Sequence, residues 1–143
     1  MRSSGLGFAI LLVAVPLLGQ SQTPDANAQA LDRLRAEIKG REKTPAGEVF
    51  KNVQFMKTTP AATFLLIMDV GYSRGLGVTC THCHEENNFA SDDKRPKRAA
   101  REMQVMHRAF NDQLRKMVNS ETSPEKRAIN CSTCHQGRPV PQS

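Results

Sequence analysis

The 143-residue chain has no tryptophan, a single tyrosine (Tyr72), and aromatic residues at only 5% of its length. Aromatic side chains therefore cannot fill the centre of a fold this size. Small domains short of core volume commonly depend on a disulfide, a metal or another covalent staple. Cysteine is scarce but concentrated: all four fall in two runs, Cys80-Thr-His-Cys83-His84 and Cys131-Ser-Thr-Cys134-His135. None lies near the amino end, which excludes a lipid anchor on a cysteine thioether. Lys and Arg outnumber Asp and Glu by 20 to 14, giving a formal charge of +6. Such a surplus suits nucleic acid or an acidic partner. The chain lacks the interleaved basic and aromatic residues that stack on bases, and its amino end carries an export leader, so nucleic acid is set aside.

That leader is residues 1–21. Met1-Arg2 is positive, residues 5–18 are apolar but too short for a membrane span, and small residues follow. Cleavage is expected after Ser21, or as late as Ala28 in its A-x-A context, leaving an exported, periplasmic protein. The rival reading of the same stretch is an uncleaved anchor helix.

Within the remainder, residues 22–47 read as a loose polar start, a short amphipathic helix over 30–39 ended by Gly40, and a turn-rich linker. The helix reads as a docking element rather than a site. Residues 48–143 read as the functional domain. Residues 49–56 alternate enough to suggest an extended segment. Thr59-Pro60 then opens a helix over 61–74 that is apolar around most of its circumference, which predicts deep burial. A long helix is expected from Asp93 or Pro96 to about Val118, with Met103, Met106, His107, Phe110, Leu114 and Met117 on one face. A short capped helix at 123–126 leads into the second cysteine run. Strands are too few for a sheet, so the fold class is mainly α: two units, each a helix, a turn and a Cys-x-x-Cys-His run.

Four chemistries compete for the cysteines. A neighbouring Cys-x-x-Cys disulfide is a reactive redox pair rather than a staple, and no strand–helix redox fold surrounds these. A four-thiolate zinc site is conceivable, but the interval from Cys83 to Cys131 exceeds zinc-ribbon spacing. Iron–sulfur ligation shares with both the failure to explain a histidine directly after the second cysteine, twice. Cys-x-x-Cys-His is the attachment run of c-type haem. Two thiols three positions apart add to the two vinyl groups on one porphyrin edge, and the next histidine sits beneath the iron. Two covalently attached haems are expected, held by Cys80/Cys83 and Cys131/Cys134, with His84 and His135 as proximal ligands. They would also occupy core volume that the composition leaves empty.

For the opposite face of each iron, Met68 lies on the helix leading into the first run, and the Gly75–Gly77 turn can fold it back over the haem. Its bland alternative is core packing. For the second haem, Met103, Met106, His107 and Met117 share a face, and periodicity does not choose among them. His82 reads as a variable position inside the first run.

The segments "VFKNVQ", "LGVTCTHCH", "NNFASDDK", "AREMQVM" and "CSTCHQGRPVP", in that order, resemble the cytochrome c subunit family of photosynthetic reaction centres. The resemblance spans residues 48–141. It implies a mainly helical fold, haem-borne electron transfer, and mostly His/Met ligation. It also implies Met68 as the first distal ligand and Met103 as the second, with Met106 the fallback. The chain departs from the full family pattern in having two such motifs rather than four. Where relatives can place a further histidine on the long helix, it has Met117.

The leading expectation is an exported carrier of single electrons between redox partner proteins, not an enzyme and with no substrate. The basic stretch 94–101 would be either a solvated helix start or a patch for an acidic partner. The alternatives are a haem subunit docked on, and thereby associated with, a membrane electron-transfer or reaction-centre complex, and a dihaem peroxidase needing one open iron.

Overall fold

The computed structural model describes residues 23–118, 121–123 and 127–142. The leader and the helix expected at 123–126 lie outside the described residues or, for the latter, almost entirely so. The fold is mainly helical, and the described residues contain no strand. Helix α1 spans Thr23–Glu37, α2 Ala46–Val49 and α3 Ala61–Leu66; α3 continues as a π-helical segment, Ile67–Arg74. Two short helices, α4 (Cys80–Cys83) and α6 (Cys131–His135), carry the cysteine runs, and α5 (Arg95–Lys116) separates them. No helix among the described residues is long and apolar enough to cross a membrane.

Several local expectations are corrected. Helix α1 begins at Thr23, so the stretch expected to be loose is helical. Residues 49–56 form no strand: Val49 closes the one-turn helix α2, and turns with positive φ at Asn52 and Met56 follow. Pro60, not Thr59, is the N-cap of α3, with no side-chain cap bond. The apolar helix that follows is not buried all round, since Leu66 and Val70 are about half exposed.

The π geometry has a visible lock. One π turn aligns residues five apart, and Asp69 and Arg74 are such a pair. Arg74 Nε and Nη2 donate to the Asp69 carboxylate at 3.3 and 2.9 Å, and the Asp69 side chain is buried. A two-pronged guanidinium–carboxylate contact fixes both distance and orientation. It therefore fixes the rotation of the segment that carries Met68.

The apolar core is small and lies to one side. Ile38, Ala61 and Leu65 pack with Leu34, Val49 and Phe50, and Phe50 stacks on Phe64 at 5.7 Å. Every buried hydrophobic residue among those described precedes Met68 in the chain. Beyond it the buried residues are Gly75 and the polar Asp69, Ser73, Lys97 and Asn111. Among the described residues, the half containing α5 and α6 thus has no buried apolar side chain.

Three glycines knit the cysteine runs together. Gly77 has φ +64°, and a Cβ there would lie 2.0 Å from the Gly137 carbonyl oxygen. Gly137 N donates to Gly75 O at 3.1 Å. The turn entering the first run is therefore pressed against the turn leaving the second.

Candidate haem-binding site

Each cysteine run folds as a single helical turn that brings its two cysteines to one side; His84 follows its turn, whereas His135 is the last residue of α6. His84 leaves α4 in an extended conformation. Its Nδ1 lies 2.9 Å from Phe89 O, and its ring stacks on Phe89 at 4.8 Å. A carbonyl has no proton to give, so Nδ1–H donates and Nε2 keeps its lone pair. His135 repeats the arrangement, with Nδ1 2.9 Å from Arg138 O. This is the orientation a metal-ligating histidine uses, its outer nitrogen tied back so the other can ligate. Burial, the largest influence on His84, pushes its pKa below the ordinary imidazole value.

The first run opens onto a cavity of about 630 Å³ lined by Cys80, Cys83 and His84 and, from other elements, by Met68, Leu31 and Phe64 among others. The second opens onto a smaller one of about 150 Å³ lined by Cys131, Cys134, His135, Met103, Met106 and His107. Tyr72, Leu76, Cys83 and Ala100 border both, so the cavities share a wall. Tyr72 is fixed in that wall by donating to Gln104 Oε1 at 2.8 Å, and burial raises its pKa well above the ordinary phenol range. The first cavity is of the size that holds a cofactor. The second is bounded on its outer side by half-exposed methionines.

The donor set suits covalent haem better than its rivals. All four cysteines are free, so neither run is a disulfide. Among the described residues no three His, Cys, Asp or Glu side chains gather where they could hold a metal ion, which removes the four-thiolate reading. Burial raises the pKa values of Cys80, Cys83 and Cys131, so these are thiols rather than poised thiolates.

Helix α5 delivers two kinds of support. At its start the basic stretch is turned inward. Lys97 donates to Phe89 O and Ser91 O at 2.7 and 2.5 Å, and Arg98 donates to Asp92 O and Asp93 O at 2.6 and 2.8 Å. Arg101 binds Asp92 Oδ2 at 2.6 Å and Asn52 O at 3.2 Å, while Lys94 reaches Thr81 O at 2.5 Å. Four of the cations in 94–101 thus fasten the 87–94 loop behind His84. Lys97 and Arg101 are thus turned inward, while Arg95 and Arg98 remain exposed. Arg101 donates first, then Asn52, and together they hold the Asp92 carboxyl well below the usual carboxylate range.

Further along α5, Asn111 grips the backbone just before the second run. Its Oδ1 accepts from Ile129 N at 2.8 Å and its Nδ2 donates to Ile129 O at 3.1 Å. His107 Nε2 lies 2.9 Å from the same carbonyl, and its Nδ1 is buried without a partner. Arg127 donates to Leu114 O and Met117 O at the end of α5, closing its last turn.

Sequence reasoning missed two contributors. His82, taken as a spacer, lines the second cavity rather than the first. Helix α1, taken as a docking element, lines the first cavity through Ala30, Leu31 and Leu34. Of the α5 face, Met103, Met106 and His107 meet the second cavity; Phe110 and Met117 stay 53% and 52% exposed.

Comparison with known proteins agrees with this chemistry. The chain is 35% identical over 100 residues to the photosynthetic reaction center cytochrome c subunit of Thermochromatium tepidum, covering 68% of this chain and 23% of that protein. It is 36% identical over 88 residues to cytochrome c-554 of Chloroflexus aurantiacus, covering 62% and 20%. It is 40% identical over 76 residues to the reaction center cytochrome c subunit of Rubrivivax gelatinosus, covering 46% and 20%. The matched part is thus about a fifth of each relative's length. The sequence profile of the family covers residues 16–143. This chain belongs to the photosynthetic reaction centre cytochrome c subunit family.

Proposed function

We propose that this chain is an exported dihaem c-type cytochrome that passes single electrons between redox partners. Membership of a cytochrome c family implies covalently bound haem c; the number two is our reading of the two complete runs. Cys80 and Cys83 would hold one haem and Cys131 and Cys134 the other. His84 and His135 would be the proximal ligands, Met68 the first distal ligand and Met103 the second, with Met106 as fallback. Haem supplies an iron that cycles between ferric and ferrous states. The chain's part is to hold Nε2 of each histidine toward the iron, to exclude water, and to bring a thioether to the far side, which raises the potential.

The observation that supports this reading best is the pair of cavities with a common wall, each having a Cys-x-x-Cys-His run on one side and methionine on another element. Adjacent cofactors suit carriage of electrons through the chain. The names of two relatives also motivate docking on a membrane reaction-centre complex, with this protein on the periplasmic side.

Resonance Raman spectra of both oxidation states, with carbon monoxide added to the reduced form, test the proposal. Two six-coordinate, low-spin haems that resist carbon monoxide are expected. A five-coordinate, high-spin haem that takes carbon monoxide readily and turns over peroxide would replace it with the peroxidase reading.

A further inference from the structure

The two cysteine runs are supported differently at their entrances. In the second, support is local: Asn130 Oδ1 accepts from Thr133 N at 3.1 Å, and Asn130 N donates to Thr133 Oγ1 at 3.0 Å. The first run has no such device. Thr79 precedes it but makes no cap bond, its hydroxyl pairing instead with that of Thr81 at 3.0 Å. The need is met from far away in sequence. Asn27 on α1 accepts from Cys80 N through Oδ1 at 2.8 Å and donates to Val78 O through Nδ2 at 3.3 Å. One carboxamide thus brackets the backbone that sets the direction of the Cys80 side chain. Three residues on, Ala30 and Leu31 of the same helix are buried, and both line the first cavity.

We infer that Asn27 is a positioning residue for the first haem site, and that α1 is a wall of that site rather than a leader remnant or a partner-docking arm. The inference rests on the haem reading above. An N–H left without its acceptor in a part-buried site is destabilising, and here that N–H belongs to the residue that must present its sulfur to a vinyl group. A consequence follows for processing: export cleavage must leave Asn27 on the mature chain, which is met by cleavage after Ser21 and excludes cleavage after Ala28.

The test uses the full-length precursor, exported and matured in a host that assembles c-type cytochromes. The variants are Asn27→Ala, Asn27→Asp, which keeps the acceptor oxygen, and Gln29→Ala as an exposed control on the same helix. The readouts are the mature amino terminus, haem-peptide mapping of each run, and the two midpoint potentials. Asn27→Ala should lose haem from the Cys80/Cys83 peptide in part of the population and shift the potential of that haem alone in the remainder. Asn27→Asp should restore both, and Gln29→Ala should match wild type. A mature chain starting at Gln29 overturns the inference. So does an Asn27→Ala protein whose two haems and potentials are those of wild type, or one whose two haems change equally without rescue by Asp. Wild-type protein without haem on either run would instead defeat the underlying haem reading.

Discussion

Lys97→Met separates structure from redox tuning at one residue. Lys97 is 8% exposed, and its ammonium donates to Phe89 O and Ser91 O and lies 3.3 Å from Asp92 Oδ1. Methionine fills the same volume but removes both donors. Hydrogen bonds to a charged group are worth roughly 1.5–3 kcal/mol each. Asp92 keeps Arg101 as a partner, so no charge is orphaned, and a loss of about 2–4 kcal/mol is expected. The redox effect has its own sign. Phe89 O is shared between Lys97 and His84 Nδ1. Without the ammonium, that carbonyl becomes a stronger acceptor for His84 and the histidine a more basic ligand. The loss of a nearby positive charge acts in the same direction. Were the iron about 8 Å from that charge, an effective dielectric of about 20 would give roughly 2 kcal/mol. With Asp92 cancelling about half, about 1 kcal/mol remains, or roughly 40 mV for a one-electron couple. A redox titration of Lys97→Met should therefore show one midpoint lowered by about 40 mV and the other unmoved, with a lower urea midpoint. An unchanged or raised potential would refute the reasoning about the shared carbonyl. An unchanged urea midpoint would refute the fastening role.

Other perturbations probe the rest of the framework. Gly77→Ala forces a Cβ to within 2.0 Å of Gly137 O at φ +64°; it should cost more than about 3 kcal/mol and lower holoprotein yield, read by urea denaturation. Asp92, held below the ordinary carboxylate range by Arg101 and Asn52, contributes stability above its unfolded value of about 3.9 that is lost only as pH falls through its lower folded value. The urea midpoint should thus show an acid-induced drop below about pH 4 that is smaller in Asp92→Asn. Met68→Ala should lower the potential of one haem and turn it high-spin. Met103→Ala should do so to the other, and a Met103→Ala protein with both haems unchanged passes that role to Met106 or His107.

The chemistry was legible in the sequence because it is written in short fixed intervals. Cys80-x-x-Cys83-His84 and its repeat point, without reference to the fold, to haem c, the cofactor that the family implies, and the spacing of α5 was read to within about two residues at each end. What escaped shares a physical character: it depends on pairings remote in the chain. Asn27 and Cys80 are 53 positions apart and Arg101 and Asn52 are 49. No local pattern announces either. In the stretch 94–101 composition records charge but not direction: Lys94, Lys97 and Arg98 donate to backbone carbonyls, Arg101 reaches Asp92 and Asn52, and Arg95 is exposed. The helix over 61–74 misled in a related way, since hydropathy does not reveal a π turn, whereas Asp69 and Arg74 at an interval of five could have hinted at it.

The central claim is that one chain carries two covalent haems. The most direct measurement is the intact mass of the denatured mature protein, taken with and without Cys80→Ala/Cys83→Ala and Cys131→Ala/Cys134→Ala. The account predicts the mass of the polypeptide plus two haems, falling by one haem in either double variant. A wild-type protein bearing one haem or none, or a double variant that still bears two, would contradict it.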